Sequence, residues 1–210
     1  MGRPKPFVLP CDLSLPGAAA WIARSLAARG LEPEYVVNNA GFGLAGHAVA
    51  LDRADQRAMI DLNMRTTTDL SLRFMDSLAR RKGGILNVAS VAAFFPGPGM
   101  AVYHATKTYV LSFSEALHHE MKGKVHVTVL CPGPVETEMA KQVHSPAIRK
   151  DYHDAIPLNR YGALEEIAAC IGFLCSRDAA YVNGQLLAVD GGFDATGIGL
   201  PTLRDNSITP

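Results

Sequence analysis

Tyr103-His-Ala-Thr-Lys107 places a phenol and a primary amine four residues apart in a run with helical periodicity. At this spacing the two side chains share one face of an α-helix. A neighbouring ammonium favours phenolate over phenol, so we expect Lys107 to lower the pKa of Tyr103 from its usual value near ~10. A tyrosine adjusted in this way can exchange a proton with an alcohol or carbonyl oxygen. The alternative is an ordinary surface helix with an unrelated Tyr and Lys.

Strand and helix patterns alternate on both sides of this segment. Apolar strand patterns lie at Phe7–Leu9, Tyr35–Val37, Ile85–Ala89, Val125–Leu130 and Leu186–Val189, and helical patterns lie between them at about 17–29, 52–81, 101–121 and 163–175. Short apolar strands joined by helices are typical of a parallel sheet that is covered on both faces. A chain of 210 residues can bury one such core, so we predict that residues 1–210 form a single α/β domain.

The composition argues against several functional classes. Twenty Lys and Arg residues balance 20 Asp and Glu residues, so no excess charge favours nucleic acid or an anionic membrane. No run approaches the ~18 apolar residues of a membrane span, and the first residues do not have the pattern of a signal peptide. The four cysteines show no C-x-x-C or metal-ligand spacing. We therefore expect reduced thiols, no metal site and a cytoplasmic protein.

Further motifs stand at ordered distances from the Tyr-Lys pair. In chain order they are Asp12, Asn38-Asn39-Ala40-Gly41, Asn63, Ser90, Tyr103 with Lys107, Pro132-Gly133 and Thr137. Taken together, they strongly resemble the short-chain dehydrogenase/reductase family over almost the whole chain. The resemblance implies a Rossmann-like doubly wound parallel sheet and a nicotinamide cofactor, NAD or NADP. It also implies hydride transfer between a small-molecule carbonyl and a secondary alcohol.

The resemblance assigns four catalytic residues. Ser90 would orient and polarise the substrate carbonyl, and Tyr103 would donate or accept the proton. Lys107 would hold the cofactor ribose hydroxyls, and Asn63 would offer its backbone carbonyl to a water that relays protons to Lys107. Two simpler interpretations stay open: Ser90 could merely cap the loop that follows it, and Asn63 could be an exposed helix residue.

The same resemblance assigns the cofactor contacts. Asp12 would lie beside the adenine, and Pro132-Gly133 would form a wall at the nicotinamide. Thr137 would reach the carboxamide or a phosphate. The remaining cofactor residues would be Asn39, Ala40 and Gly41 on the adenosine side, together with Tyr103 and Lys107. The apolar run at 92–100 would line the substrate entrance, which favours a hydrophobic ketone or alcohol over a small polar acid.

The chain departs from the family pattern at its start. The run Phe7–Leu9, with Asp12 after it, looks like the family's third strand. Six residues precede it, whereas a β-α-β unit needs about 30. We therefore predict a sheet truncated at the N-terminus, with strands 1 and 2 and the Gly-rich pyrophosphate turn missing. The strand near Tyr35 would then become an edge. Gly191–Gly199 resembles a dinucleotide loop, but Phe193 stands where the family requires glycine.

Three other regions carry expectations from the family. Segment 138–158 would be a mobile substrate lid, although its composition fits a plain surface loop equally well. Residues 193–210 would be a C-terminal arm. From about Tyr152 the chain resembles 3-oxoacyl-carrier-protein reductases, with the run Gly184–Gly192, whereas the part up to Met139 resembles another branch of the family. The helices near 52–81 and Tyr103 would pair with a second subunit, which implies a homo-oligomer, a dimer or a tetramer.

Three functions remain open from the sequence. The first is an NAD(P)-dependent oxidoreductase. The second is a non-catalytic remnant of such an enzyme that binds dinucleotides weakly or not at all. The third is a scaffold that acts through oligomerisation. The physiological substrate and the choice between NAD and NADP are not encoded in any motif that we recognise.

Overall fold

The computed structural model describes residues 6–182, 185 and 187–194. Four parallel strands form one sheet in the order β1-β2-β3-β4. They are β1 (Tyr35–Asn38), β2 (Gly84–Val88), β3 (His126–Pro132) and β4 (Leu187–Val189). The predicted parallel α/β fold is thereby confirmed. Within the described ranges, β1 is an edge strand that pairs only with β2.

Helices connect the strands and cover the sheet. They are α1 (Ala18–Ala27), α2 (Arg53–Ile60), α3 (Thr67–Arg73), α4 (Met75–Arg81), α5 (Ala101–Glu120), α6 (Glu138–Val143), α7 (Pro146–Ala155) and α8 (Leu164–Leu174). A π-helical turn, Asp61–Thr66, joins α2 to α3, and short 3-10 turns lie at Val91–Ala93 and Arg177–Ala179. No helix among the described residues is both long enough and apolar enough to cross a membrane.

The predicted strand at Phe7–Leu9 is wrong. These residues have no regular structure, and Val8 is 72% exposed. Phe7 is half exposed and lies under the guanidinium of Arg29, with 4.4 Å between the Arg29 Cζ atom and the ring centroid. A strand is stable only when a neighbouring strand pairs with its backbone, and no described strand lies beside this segment. An apolar run in the sequence cannot by itself supply that partner.

The long helix predicted at about 52–81 is interrupted twice. The first interruption is the π-helical turn at Asp61–Thr66, where the Thr68 hydroxyl donates a hydrogen bond to the Met64 carbonyl at 2.9 Å. A Thr side chain that bonds to the backbone four residues earlier often bends a helix. The second interruption is at Phe74, whose φ and ψ of −98° and 2° separate α3 from α4 while its ring enters the core.

Segment 138–158 is largely helical, so the interpretation as a plain surface loop is wrong. Helix α6 begins at Thr137, whose side chain accepts the amide N–H of Ala140 at 3.1 Å. Helix α7 begins after Ser145, which accepts the amide N–H of Ile148, with Pro146 in the first turn. Both are ordinary helix-capping arrangements. Whether the segment moves as a lid stays a prediction.

A buried polar ladder fixes the strands that lead to the functional site. The Asn38 amide donates to Asn87 Oδ1 at 2.8 Å and to Ser71 Oγ at 3.0 Å. The Asn87 amide in turn donates to Ser114 Oγ at 2.9 Å. Because Asn38 and Asn87 are paired residues of β1 and β2, these bonds join both strands to α3 and α5. Buried polar groups of this kind specify one arrangement of the surrounding elements when they are bonded.

Candidate active site

The ordered motifs of the sequence come together at the carboxyl ends of the parallel strands. They line one cavity of about 370 Å³. The predicted residues that line it are Asn39, Gly41, Ser90, Tyr103, Lys107, Pro132, Gly133 and Thr137. In open parallel sheets this edge is where ligands generally bind. The structure therefore brings most of the predicted site residues to one place, and their individual roles stay predictions.

Ser90 lies directly after β2, and its backbone is extended at φ −175°. Its Oγ accepts the amide N–H of Ala92 at 3.1 Å, so the side chain does cap the turn that follows. This role leaves the hydroxyl proton free to be donated, because a serine oxygen both accepts and donates. Ser90 also interacts with the Tyr103 hydroxyl in the direction that lowers the pKa of Tyr103. Capping and substrate contact are thus compatible in one side chain.

Tyr103 and Lys107 lie on one face of α5, but their pKa values do not move as the sequence suggested. Burial raises the pKa of Tyr103; the Ser90 hydrogen bond opposes this effect and the Tyr152 phenol adds to it. Burial also lowers the pKa of Lys107 to about 8, against a smaller opposite effect of Cys131. The predicted lowering of the Tyr103 pKa is therefore wrong for this protein, because removing both groups from water disfavours both ions.

The Lys107 ammonium has a partner other than the phenol. Its Nζ donates to the Val88 carbonyl at 2.9 Å and lies 5.8 Å from the Tyr103 ring centroid. An ammonium carries three donors, so this bond holds the side chain and leaves others for a ligand. With 7% of the residue exposed, Lys107 is a buried cation at the floor of the cavity.

This burial predicts a pH-dependent stability. The folded-state pKa of Lys107 is about 8, and the ordinary value is 10.5. Between these values the unfolded chain binds more protons than the folded one, so the free energy of unfolding rises with pH. Over the whole window this amounts to about 3 kcal/mol. Urea melts at pH 7.5 and 9 cover part of this window, and we expect a rise of about 1 kcal/mol between them in the wild type and not in Lys107→Met.

The comparison of the two proteins is needed because other groups titrate nearby. Burial raises the pKa of Cys131 to about 11, which acts in the opposite direction above pH 9. Lys107 opposes this rise, so the Cys131 contribution differs between the two proteins, and the melts are kept at or below pH 9, where that contribution is small. An equal pH dependence of wild type and variant would contradict the buried-cation assignment of Lys107.

Asn63 connects the loop after β1 to α5. Its amide nitrogen donates to the Phe42 carbonyl and to Thr106 Oγ1, both at 3.0 Å, and its Oδ1 accepts the Phe42 amide N–H at 3.2 Å. With 2% exposure it is not the exposed helix residue of the simpler interpretation. Its position within the π-helical turn is of interest because such turns are frequent at functional sites. The proposed water relay from its backbone carbonyl stays a prediction.

Two predicted cofactor residues do not line the cavity. Asp12 is exposed and accepts hydrogen bonds from the amide and hydroxyl of Ser14, which lower the pKa of its carboxyl. Ala40 is exposed on the loop after β1. Thr137 does line the cavity, although its side-chain oxygen also caps α6.

The turn that resembles a dinucleotide loop uses its amide N–H groups to bond to the carboxylate of Asp190. Asp190 accepts the amide N–H groups of Gly192 at 2.8 Å and Asp194 at 2.7 Å. A phosphate would need those same N–H groups and would be repelled by the carboxylate. Residues 191–194 therefore form a packed turn, in agreement with the sequence-based rejection of a phosphate site. Apart from this turn, the predicted C-terminal arm lies outside the described residues.

The sequence did not single out several polar residues that line the cavity. They are His104, His144 and Tyr152. The His104 Nδ1 lies 2.8 Å from the Phe95 carbonyl, and the His144 and Tyr152 rings have their centroids 5.1 Å apart. One signal was available: Ser145-Pro146 is a typical helix start, which would have placed His144 just before α7.

The loop after β1 packs closely against the residues at the base of the cavity. A Cβ atom added to Gly41 would lie 3.0 Å from Asn63 Oδ1 and 3.6 Å from Lys107 Nζ. A side chain there would press against both residues, so glycine allows the loop after β1 to pack this closely on Asn63 and Lys107. Asn39, Lys107 and Thr137 supply polar groups to the cavity lining. The described residues thus fit the nicotinamide half of the cofactor.

Comparison with known proteins defines the class of this protein. Residues 2–194 match the family model described as enoyl-(acyl carrier protein) reductase. The chain therefore belongs to the short-chain dehydrogenase/reductase family. It is 33% identical over 163 residues to the 3-oxoacyl-(acyl-carrier-protein) reductase FabG of Thermotoga maritima, a match that covers 76% of this chain and 65% of that protein. The Aquifex aeolicus FabG is 34% identical, with 76% and 64% covered. The chain thus spans about two thirds or slightly less of the length of these relatives.

Solved structures show the same fold. A gluconate 5-dehydrogenase from Burkholderia cenocepacia, in complex with NADP and tartrate, superposes with a TM-score of 0.79 and 26% identity, covering 88% of this chain and 73% of that one. A 4-hydroxyisoleucine dehydrogenase complexed with NADH gives a TM-score of 0.81 and 26% identity, with 88% and 77% covered.

Proposed function

We propose that this protein is an NAD(P)-dependent oxidoreductase that interconverts a carbonyl and a secondary alcohol by hydride transfer. The observation that carries the proposal is the convergence of Ser90, Tyr103 and Lys107 on one cavity at the carboxyl ends of the parallel strands. The known binding of NADP and NADH by the two solved relatives supports the choice of cofactor.

Each of the three residues has a defined task in this proposal. The Ser90 hydroxyl donates a hydrogen bond to the substrate carbonyl oxygen and fixes its position. Tyr103, whose raised pKa keeps it protonated at neutral pH, donates the proton to that oxygen in the reductive direction. Lys107 donates hydrogen bonds to the ribose hydroxyls while its Nζ also donates to the Val88 carbonyl, which fixes the ammonium in place. When bound, the nicotinamide dinucleotide supplies or accepts the hydride.

The pKa of Tyr103 suggests a preferred direction. A phenol that is held neutral by burial is a proton donor, as reduction of a carbonyl requires. Oxidation of an alcohol would need the phenolate, which burial disfavours in the protein without its cofactor. The positive charge of an oxidised nicotinamide would favour that phenolate, so the same side chain would accept the proton in the reverse reaction.

The cavity walls indicate the substrate class. Apolar side chains dominate the lining away from the catalytic residues; they include Phe95, Met100, Met139, Val143, Leu164, Ile167 and Ile171. Lys107 is the one residue with a charged side chain among the described lining residues. An apolar pocket with few polar groups binds uncharged, partly hydrophobic molecules.

Pairing with a second subunit, as a dimer or tetramer, stays part of the proposal and rests on the family.

Oxidation of NADPH and NADH at 340 nm in the presence of ethyl 3-oxobutanoate tests the proposal. We expect cofactor oxidation that depends on the ketone, with a rate reduced by about 10²–10³-fold in Ser90→Ala, because one hydrogen bond to the developing oxyanion is lost. His118→Asn is the control, since His118 lies outside the cavity lining. The complete absence of ketone-dependent oxidation at millimolar cofactor would favour the non-catalytic remnant instead.

A further inference from the structure

The cavity has a second polar end at the start of α7. His144 and Tyr152 line the cavity there, with 5.1 Å between their ring centroids. Tyr152 is close enough to Tyr103 to affect its phenol. His144 therefore lies beside Tyr152 in the same cavity as the proton donor. A substrate that reaches both ends of this pocket would contact it.

The orientation of His144 is fixed by a buried tyrosine. Its Nδ1 lies 2.9 Å from the Tyr161 hydroxyl. Tyr161 is only 3% exposed, packs in a cluster with Ala140 and Ile156, and has the Arg149 guanidinium 4.4 Å from its ring centroid. Arg149 is itself paired with the carboxylate of Glu136. The phenol is thus held from several sides, and it in turn holds the imidazole.

The chemistry of this contact determines which nitrogen of His144 carries the proton. An imidazole nitrogen is a better acceptor than a phenol oxygen, so the stronger arrangement has the Tyr161 hydroxyl donating to Nδ1. In a neutral histidine the other nitrogen is then the N–H donor. Burial, with a smaller contribution from Arg149, lowers the pKa of His144, so the ring is neutral at pH 7. None of the residues that the structure describes bonds to its Nε2.

We propose that His144, held by Tyr161, is a specificity-determining residue whose Nε2–H donates a hydrogen bond to a second oxygen of an uncharged carbonyl substrate. The substrate class is a ketone with a neighbouring ester, thioester or amide carbonyl, because such a group is neutral and accepts one hydrogen bond. This inference rests on the proposed function for the position of the reacting ketone. A carboxylate is disfavoured because this end of the cavity has only neutral donors.

The first test reads the protonated nitrogen directly and needs no activity. Two-bond ¹H–¹⁵N correlations of the imidazoles are recorded at pH 7.5 on the 210-residue protein, and His144→Asn assigns the His144 signals. We expect the Nε2–H form in the wild type and a mixture of both forms in Tyr161→Phe, which keeps the ring packing. A wild-type His144 with its proton on Nδ1 would overturn the proposal.

The second test compares two ligands of equal length. Ethyl 3-oxobutanoate carries the second carbonyl, and 2-heptanone replaces the ester atoms with methylenes. We expect His144→Asn to weaken ester binding by about 3–10-fold, the effect of one neutral hydrogen bond, and to leave 2-heptanone unchanged. His144→Gln places an amide near the former Nε2 and should recover part of the ester affinity. Asn is the informative replacement because its amide lies near the former Nδ1.

His118→Asn is the matched control, because His118 also bonds through Nδ1, at 3.2 Å from the Val127 carbonyl, but lies outside the cavity lining. Equal losses for both ligands in His144→Asn, or a similar loss in His118→Asn, would overturn the proposal. Binding is followed by NMR titration, so it is separate from hydride transfer. A protein that prefers the ester through His144 but oxidises no cofactor would contradict the proposed function and leave the binding role of His144 intact.

Discussion

Tyr103→Phe is expected to reduce carbonyl reduction by about 10²–10⁴-fold, which is the usual contribution of a positioned general acid. The substitution removes the one hydroxyl that would move the proton and keeps the ring that packs in the cavity. Steady-state rates with ethyl 3-oxobutanoate and saturating NADPH measure the effect. The loss should fall on kcat, because the phenol acts mainly on the transition state rather than on substrate binding.

Tyr109→Phe is the matched control for this substitution. Tyr109 lies on the same helix and bonds through its hydroxyl to Thr68 Oγ1 at 2.7 Å, and it is not among the residues that line the cavity. It should retain nearly the full rate, and both variants should unfold at similar temperatures. If Tyr103→Phe kept most of the wild-type rate, the proton donor would have to be another group.

The second large effect concerns dinucleotide affinity. From the sequence we expect residues 1–210 to lack the Gly-rich turn and helix N-terminus that would face the pyrophosphate. Hydrogen bonds to a charged group are worth ~1.5–3 kcal/mol each, so two or three missing bonds correspond to about 3–9 kcal/mol. We therefore expect NADPH to bind this 210-residue polypeptide at least a hundredfold more weakly than the micromolar range, at about 0.1 mM or above.

Calorimetric titration with NADH and NADPH measures this affinity. The comparison is a fusion in which a Gly-rich β-α-β unit from a related reductase precedes Phe7, and this protein should bind at least a hundredfold more tightly. Asp12→Asn in the fusion provides a further control. Asp12 lies outside the cavity of the 210-residue chain, and it would contact the adenine only when the added β-α-β unit is present. A low micromolar dissociation constant for the 210-residue chain would mean that other residues bind the pyrophosphate.

The parts of the fold that were predictable are those fixed by local pattern. The four strands were found to within one or two residues, because each is a short apolar run between turn signals. The strand at Phe7–Leu9 failed because strand formation depends on a partner that is distant in sequence. The interruptions of the helix at 52–81 depend on a side-chain bond of Thr68 and on the packing of Phe74. Neither the Thr68 bond nor the packing of Phe74 produces a periodic pattern in the sequence.

The candidate site also has parts that the sequence could predict and parts that it could not. Ser90, Tyr103 and Lys107 could be placed together from their order and from the rule that strand ends meet at one edge of a parallel sheet. The direction of the Tyr103 pKa shift could not be predicted in this way. The spacing of residues shows which charges lie nearby, but it does not show how far burial removes the phenol from water. His144 was missed because its role depends on Tyr161, which is brought to it by the chain between α7 and α8.

Transfer of deuterium from the cofactor to the substrate is the most direct test of the proposed chemistry. The protein is incubated with NADPH that carries deuterium in both positions at the nicotinamide C4 and with ethyl 3-oxobutanoate, and the alcohol is analysed by mass spectrometry. We predict ethyl 3-hydroxybutanoate with one deuterium on the carbinol carbon from the wild type, and almost no labelled alcohol from Tyr103→Phe in the same time. An alcohol without deuterium, no alcohol at all, or equal labelling by both proteins would contradict hydride transfer at the Ser90–Tyr103–Lys107 site.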